Sequence, residues 1–76
     1  MIRKKIGTRI RELRLQRHLS QEKFSFEAHI DRTYLASVEK GKRNISIINL
    51  EKIWIALGIS ASDFFKSKHF GENDES

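Results

Sequence analysis

The side chains best suited to chemistry in this chain lie in a short polar segment near its centre. They are hydrogen-bond donors, acceptors and one flat aromatic ring, and their spacing places them on the outward side of a single helix: Arg32, Thr33, Tyr34, Ser37 and Lys40. Groups of these kinds hydrogen-bond to base edges and to phosphate oxygens. The segment therefore predicts a surface that contacts nucleic acid.

Two short helices joined by a tight turn would hold these side chains. Ser20 begins a predicted helix over 20–28 and Asp31 begins another over 31–40, because both residue types are favoured at helix N-termini. Gly41 then suits the left-handed backbone that often ends a helix. The apolar residues of the pair can converge on one inner side: Phe24, Ala28, Ile30, Leu35 and Val38. This arrangement predicts a helix-turn-helix whose second helix enters the major groove of DNA.

Other predicted helices lie on either side of this pair. The first, over about 3–17, carries an apolar stripe at Ile6, Ile10 and Leu13. The fourth covers 46–57. Its stripe toward the core consists of Ile47, Leu50, Ile53, Trp54 and Leu57.

A fifth short helix starts at Ser60, and at least one of Phe64 and Phe65 should close the core beside it. The chain contains no proline, and the absence of this helix breaker favours an all-α fold. Its 76 residues make one small domain. We therefore predict a compact five-helix bundle over 1–66 and a flexible, polar and acidic tail over 67–76.

Positive charge is concentrated in the half of the chain that holds the predicted helix-turn-helix. Residues 1–43 contain 12 Lys and Arg against 5 acidic residues, whereas 44–71 contain 3 against 2, and the last five residues carry three acids and no base. A basic region of this kind is typical of a protein that binds a polyanion. Charge alone fits an ordinary solvated surface equally well.

Several function classes conflict with the composition. Without cysteine, the chain offers no disulfide, thiolate metal site or thiol nucleophile. The histidines His18, His29 and His69 lack the spacing of a metal-binding motif. No apolar run approaches the ~20 residues that cross a bilayer, and no apolar segment follows the basic N-terminus as in a signal peptide. We expect no enzymatic activity, no cofactor, no metal ion and no membrane partner.

The run LSQEKFSFEAHIDRTYLASVEKGKRNISIINLEKIWIALGIS resembles the Xre/Cro/C1 family of helix-turn-helix regulators. Within that family, RTYLASVEKGKRNISIINLEKI is most similar to the controller proteins of restriction–modification systems, and the resemblance covers about 6–65. It implies a lambda-repressor-like bundle that binds operator DNA as a symmetric homodimer. For a controller, it also implies regulation of its own gene and of the nuclease gene. A transcription regulator of this kind would work in the bacterial cytoplasm, at the nucleoid, with RNA polymerase as a further candidate partner.

The residues of the second predicted helix of the pair suggest separate roles. Arg32 can donate two parallel hydrogen bonds to O6 and N7 of guanine, or clamp a phosphate. Thr33 can meet a thymine methyl or a phosphate. Tyr34 can do either, or pack onto the preceding helix. Ser37 faces the same way as Thr33, either as a contact or as a small neutral residue that allows close approach.

The resemblance implies further roles outside that helix. It assigns Gln21 to a contact with the DNA backbone that also braces the reading helix, and it assigns phosphate contacts to the loop residues Lys42, Arg43 and Asn44, with Arg43 reaching the minor groove. It also pairs Arg14 with Glu39. Histidines stand at two positions, His18 and His29, where the family has glycine on a left-handed backbone, and Ser25 replaces the usual alanine between the paired helices.

A second surface should hold two copies together. Ile48 and Ile55 are seven residues apart, so they lie nearly above one another on a side of the fourth helix away from its core stripe. With Ile59 and Phe65 they form an apolar patch that must be covered. A symmetry mate would cover it in a homodimer, whereas the alternative is that the fifth helix or the tail folds over it.

Other functions remain open at this point. A prophage- or plasmid-type repressor or an antitoxin would share the same pattern. A helical protein-interaction module is a different class, but it would not need the outward polar side chains of the second paired helix together with a basic loop: Arg32, Thr33, Tyr34 and Ser37. A binder of single-stranded or structured RNA would favour clustered exposed aromatic residues, and only Tyr34 fits.

Overall fold

Polar side chains at the starts of four segments set the architecture of the chain. In a computed structural model that describes residues 1–71, the helices are α1 (Ile2–Gln16), α2 (Gln21–Ala28), α3 (Arg32–Glu39), α4 (Ile47–Leu57) and α5 (Ala61–Phe65), and a 3-10 turn follows at Lys68–Phe70. The predicted N-cap residues accept hydrogen bonds from backbone N–H groups in the first turns of α2 to α5: Ser20, Asp31, Ser46 and Ser60. The described part of the chain is therefore all-α, as predicted.

The turns between helices use a left-handed backbone at two histidines. His18 and His29 both have φ of 58°, and Gly41, with φ of 76°, follows α3 in the same region of conformational space. Left-handed backbone is uncommon for residues other than glycine, although histidine is one of the more tolerant types. The expectation of left-handed turns at both histidines is confirmed.

The core lies where all five helices meet. Its fully buried members are Ile10, Phe24, Leu35, Val38, Ile53 and Phe64. Phe64 closes the core as expected, whereas Phe65 is 38% exposed. The prediction for Ile47 is wrong, because this residue is 81% exposed. It lies in the first turn of α4, and Ile45, just before the helix, packs against that end of the core instead.

Helix α1 contacts the other helices along its length. A Cβ atom built on Gly7 would lie 2.8 Å from the carbonyl oxygen of Glu39, so only glycine allows α1 and the end of α3 to approach this closely. Arg9 donates hydrogen bonds to the carbonyl oxygens of Phe64 (2.7 Å) and Asp63 (2.9 Å) at the C-terminal end of α5, where carbonyl groups lack the usual partner four residues on. One face of α1 therefore anchors α3 and another anchors α5.

The chain beyond α5 differs from the predicted flexible tail at residues 67–71. The ring of Phe70 lies 5.0 Å from that of Phe65, edge to face, and the imidazole of His69 lies 2.9 Å from a carboxylate oxygen of Glu12. Phe70 is apolar enough to dock on the aromatic residues of α5, which a purely polar tail could not do. The remaining predicted tail, 72–76, lies outside the described residues. Within residues 1–71, no helix has the length and apolar character needed to cross a membrane.

Candidate nucleic-acid interface

A buried ion pair fixes the C-terminal end of α3. Glu39 accepts hydrogen bonds from Nε (2.7 Å) and Nη2 (2.9 Å) of Arg14, and both side chains are buried. Arg14 also donates to the carbonyl oxygen of Leu19 at 2.8 Å. The predicted pairing of Arg14 with Glu39 is confirmed, and it ties α1 and α3 together with a paired, fully hydrogen-bonded charge.

Gln21 joins the same network from α2. Its Nε2 donates to Oε1 of Glu39 at 3.0 Å, so the side chain spans from the first turn of α2 to the last residue of α3. The expected bracing of α3 by Gln21 is confirmed. Its backbone N–H also lies at the N-terminus of α2, where the helix dipole favours an anion.

The outward side of α3 presents its polar side chains to solvent. Arg32 and Thr33 are exposed, Ser37 is half-buried, and Lys40 is exposed just beyond the helix. The inner side of the helix holds Leu35 and Val38, each 1% exposed. The helix is therefore rigidly seated on one side, and on the other it offers a guanidinium, hydroxyls and an ammonium group.

Tyr34 connects α3 to the loop that follows it. Its hydroxyl lies 3.4 Å from the N–H of Ser46 and 3.5 Å from the carbonyl oxygen of Asn44, so it can accept from the first and donate to the second. The guanidinium of Arg43 stacks over its ring, 5.1 Å from the centroid. The sequence alone offered packing onto α2 as an alternative but showed no sign of these contacts with the loop, which link residues nine to twelve positions apart.

The loop after α3 is polar and basic. Lys42, Arg43 and Asn44 are all exposed. Within residues 1–71, none of the three takes part in an ion pair, so the positive charges of Lys42 and Arg43 are not neutralised by an acidic neighbour. Together with the outward side of α3, this loop can bind an extended anion and read its polar edges.

The apolar patch predicted on α4 is open to solvent. Ile48 is 66% exposed and Ile55 is 65% exposed, while Ile59 is half-buried and Phe65 is 38% exposed. Neither α5 nor the 3-10 turn covers the two isoleucines, which removes the intramolecular alternative for residues 1–71. A patch of this kind on so small a domain is a candidate surface for association.

Comparison with known proteins gives a consistent result. The helix-turn-helix family model matches residues 10–64. Control protein C.MunI of Mycoplasma sp is 46% identical over 65 residues, which are 84% of this chain and 88% of that protein. The solved controller protein C.AhdI of Aeromonas hydrophila superimposes with a TM-score of 0.79 at 43% identity, over 83% of this chain and 96% of that one.

A second solved relative was captured with DNA. The restriction–modification controller C.Esp1396I, a tetramer in complex with its natural 35 base-pair operator, matches with a TM-score of 0.82 at 32% identity, over 87% of each chain. The arrangement of helices described above is therefore one that a related controller uses on DNA.

Proposed function

Because this chain belongs to the helix-turn-helix family, we propose that it is a sequence-specific, double-stranded DNA-binding transcription regulator that acts as a homodimer. The most specific assignment is an autoregulating controller protein of a restriction–modification system. The observation that carries the proposal is the rigid seating of α3 by Glu39, with Arg32 and Thr33 exposed on its opposite side beside a basic loop. It works by binding, with no catalytic step and no cofactor, and its place is the cytoplasm, at the nucleoid.

In this proposal α3 lies in the major groove and its first turn reads base edges. Arg32 donates to guanine, Thr33 meets a thymine methyl or a phosphate, and Ser37 lies close to the groove floor. Tyr34 also contacts the DNA, and the hydrogen bonds of its hydroxyl to Asn44 and Ser46 hold the ring in position. Sequence is read by these base contacts, whereas contacts with the backbone supply most of the affinity.

Backbone contacts come from both ends of the helix-turn-helix. The first turn of α2, with Gln21, faces one phosphate, and Lys42, Arg43 and Asn44 hold others from the loop. When DNA is bound, Arg43 leaves the ring of Tyr34 and reaches the minor groove. The stack seen in the free protein keeps the loop ordered before binding.

The dimer forms through the apolar patch of α4 and α5. Ile48, Ile55, Ile59 and Phe65 of one subunit meet the same residues of the other across a two-fold axis. The two α3 helices then face successive major grooves about 34–36 Å apart, so the operator is an inverted repeat with half-sites one helical turn apart.

Selection of bound sequences from a random pool of duplexes tests this function. We expect an inverted repeat, and footprinting should find the same repeat upstream of the protein's own gene. The position of the site relative to the promoter then decides whether binding activates or represses. Recovery of no common sequence would contradict the proposal and favour the protein-interaction module, which needs no base contacts.

A further inference from the structure

The N-terminus of α1 lies against the loop that follows α3. A Cβ atom built on Gly41 would be only 2.9 Å from the Cα atom of Lys4, so the two backbones are in close contact there. The same two elements also line a groove of about 230 Å³, together with Val38 of α3. Its other lining residues are Ile2, Arg3, Ile6, Arg43, Asn44 and Ile45. The first turn of α1 is thus continuous with the loop proposed to hold DNA.

This junction carries positive charge from both elements. We call it the basic edge, and it consists of Arg3, Lys4, Lys40, Lys42 and Arg43, all of which are exposed. None of the five forms an ion pair within the described part of the chain. The nearest acidic residue in sequence, Glu39, is buried and already bound to Arg14. Unneutralised cations on two adjoining elements favour a ligand with regularly spaced negative charges.

The residues that line the groove are of types suited to binding a sugar–phosphate backbone. The lining includes the buried or half-buried apolar residues Ile6, Val38 and Ile45 and the exposed residues Arg3 and Arg43, with no Asp or Glu among the lining residues. Guanidinium groups bind phosphates strongly, so this lining suits the sugar–phosphate backbone of a nucleic acid.

We propose that the basic edge extends the DNA interface to α1, so that Arg3 and Lys4 bind phosphates beyond those held by the loop. That DNA is the ligand rests on the proposed function. Arg3 and Lys4 are additional contacts that were not assigned from the sequence alone. The basic run at positions 3–5 was the only sign of them, because their closeness to the loop depends on tertiary packing.

The slope of log affinity against log salt concentration measures these contacts. Each lost phosphate contact lowers the magnitude of this slope by about 0.9. The variant Arg3→Gln/Lys4→Gln removes two contacts per subunit, so the slope of the dimer should fall by roughly 3.6. Between 50 and 200 mM salt, the wild type should then lose on the order of 100-fold more affinity than the variant.

A matched control removes the same charge elsewhere. Lys66→Gln/Lys68→Gln takes two exposed lysines from the region after α5, which lies outside the basic edge. Glutamine is polar and has a helix propensity close to that of lysine and arginine, so both variants should stay folded. Should the Arg3→Gln/Lys4→Gln variant lose helicity, Arg3→Gln alone carries the test with half the expected change.

Titrations use the duplex selected from the random pool and a random-sequence duplex of roughly 30 base pairs, long enough for two half-sites. The loss of one phosphate contact per subunit corresponds to a change of about 1.8 in the slope of the dimer. The proposal is supported if the slope falls by at least that much more in the Arg3→Gln/Lys4→Gln variant than in the control. A smaller difference overturns it. Equal affinity of the wild type for the two duplexes would instead overturn sequence-specific regulation, while the slopes on the random duplex still decide the basic edge.

Discussion

Arg32 is the first residue of α3, and its exposed side chain has no ion-pair partner within residues 1–71. Replacing it with alanine should weaken specific binding by about 1–3 kcal/mol and relax the preference at one base pair per half-site, because two parallel bonds to guanine are lost. Binding to a panel of single-base variants of the selected duplex measures both effects.

Arg32→Lys is the control for this prediction. Lysine keeps the positive charge but lacks the planar fork of the guanidinium. If Arg32 reads guanine, the lysine variant should also lose discrimination at that base pair. If both variants keep the wild-type base preference, Arg32 binds only phosphate.

The left-handed backbone at His29 leads us to predict a gain in folding stability on substitution. His29→Gly should stabilise the fold by about 0.5 kcal/mol, because relief of left-handed strain exceeds the greater freedom of glycine in the unfolded chain. Thermal denaturation followed by circular dichroism measures the change. The neighbouring exposed substitution Glu27→Gly, on helical backbone, should destabilise by about 1 kcal/mol. A lower Tm for His29→Gly would show that the imidazole stabilises the turn.

At the scale of elements, the contact between α1 and α3 depends on Gly7. Gly7→Ala would add a Cβ that meets the backbone carbonyls of Val38 and Glu39, neither of which can turn aside like a flexible side chain. We expect a loss of about 1–3 kcal/mol, despite the higher helix propensity of alanine, and a Tm lowered by roughly 4–24 °C.

Gly71→Ala provides the comparison. The nearest atoms to a Cβ at that position are 3.8 Å away, and its φ of −79° is open to any residue. This variant should melt close to the wild type. An unchanged Tm for Gly7→Ala would mean that α1 and α3 can separate without cost.

Local chemistry explains how well the elements could be predicted. Each of the caps Ser20, Asp31, Ser46 and Ser60 bonds to a backbone N–H three residues on, so the information lies within one turn of sequence. The 3-10 turn also has a local cap, because Ser67 accepts a hydrogen bond from the N–H of His69, but its position depends further on Glu12, 57 residues from His69, and no local pattern encodes that contact. The same distinction applies to the candidate interface. The exposure of Arg32 was predictable from helical periodicity, whereas the contacts of Tyr34 with the loop were not.

At the scale of the whole molecule, the exposed patch on α4 governs assembly. Ile48→Glu together with Ile55→Glu should give a folded monomer that binds a full operator poorly, because two like charges would face their symmetry mates across the two-fold axis. Sedimentation equilibrium measures the oligomeric state, and circular dichroism checks the helical fold.

Ile47→Glu serves as the matched control on the same helix, because Ile47 is 81% exposed and lies about 80–100° around the helix axis from Ile55 and Ile48. It should weaken association much less than the double substitution. A folded Ile48→Glu/Ile55→Glu variant that remains dimeric would rule out this interface and place the two-fold axis elsewhere.

The bonds from Arg9 to α5 also have a consequence for the timing of synthesis. Arg9 and Phe64 are 55 residues apart, so Arg9 is synthesised well before its acceptors exist. At about 5–20 residues per second, that delay is roughly 3–11 s. Nascent chains still being translated lack the element that secures α1, and α1 in turn seats α3 through Gly7 and Arg14. A messenger RNA occupied by many ribosomes therefore yields competent protein only after α5 has been synthesised, which sets a minimum lag between the start of translation and any effect at a promoter.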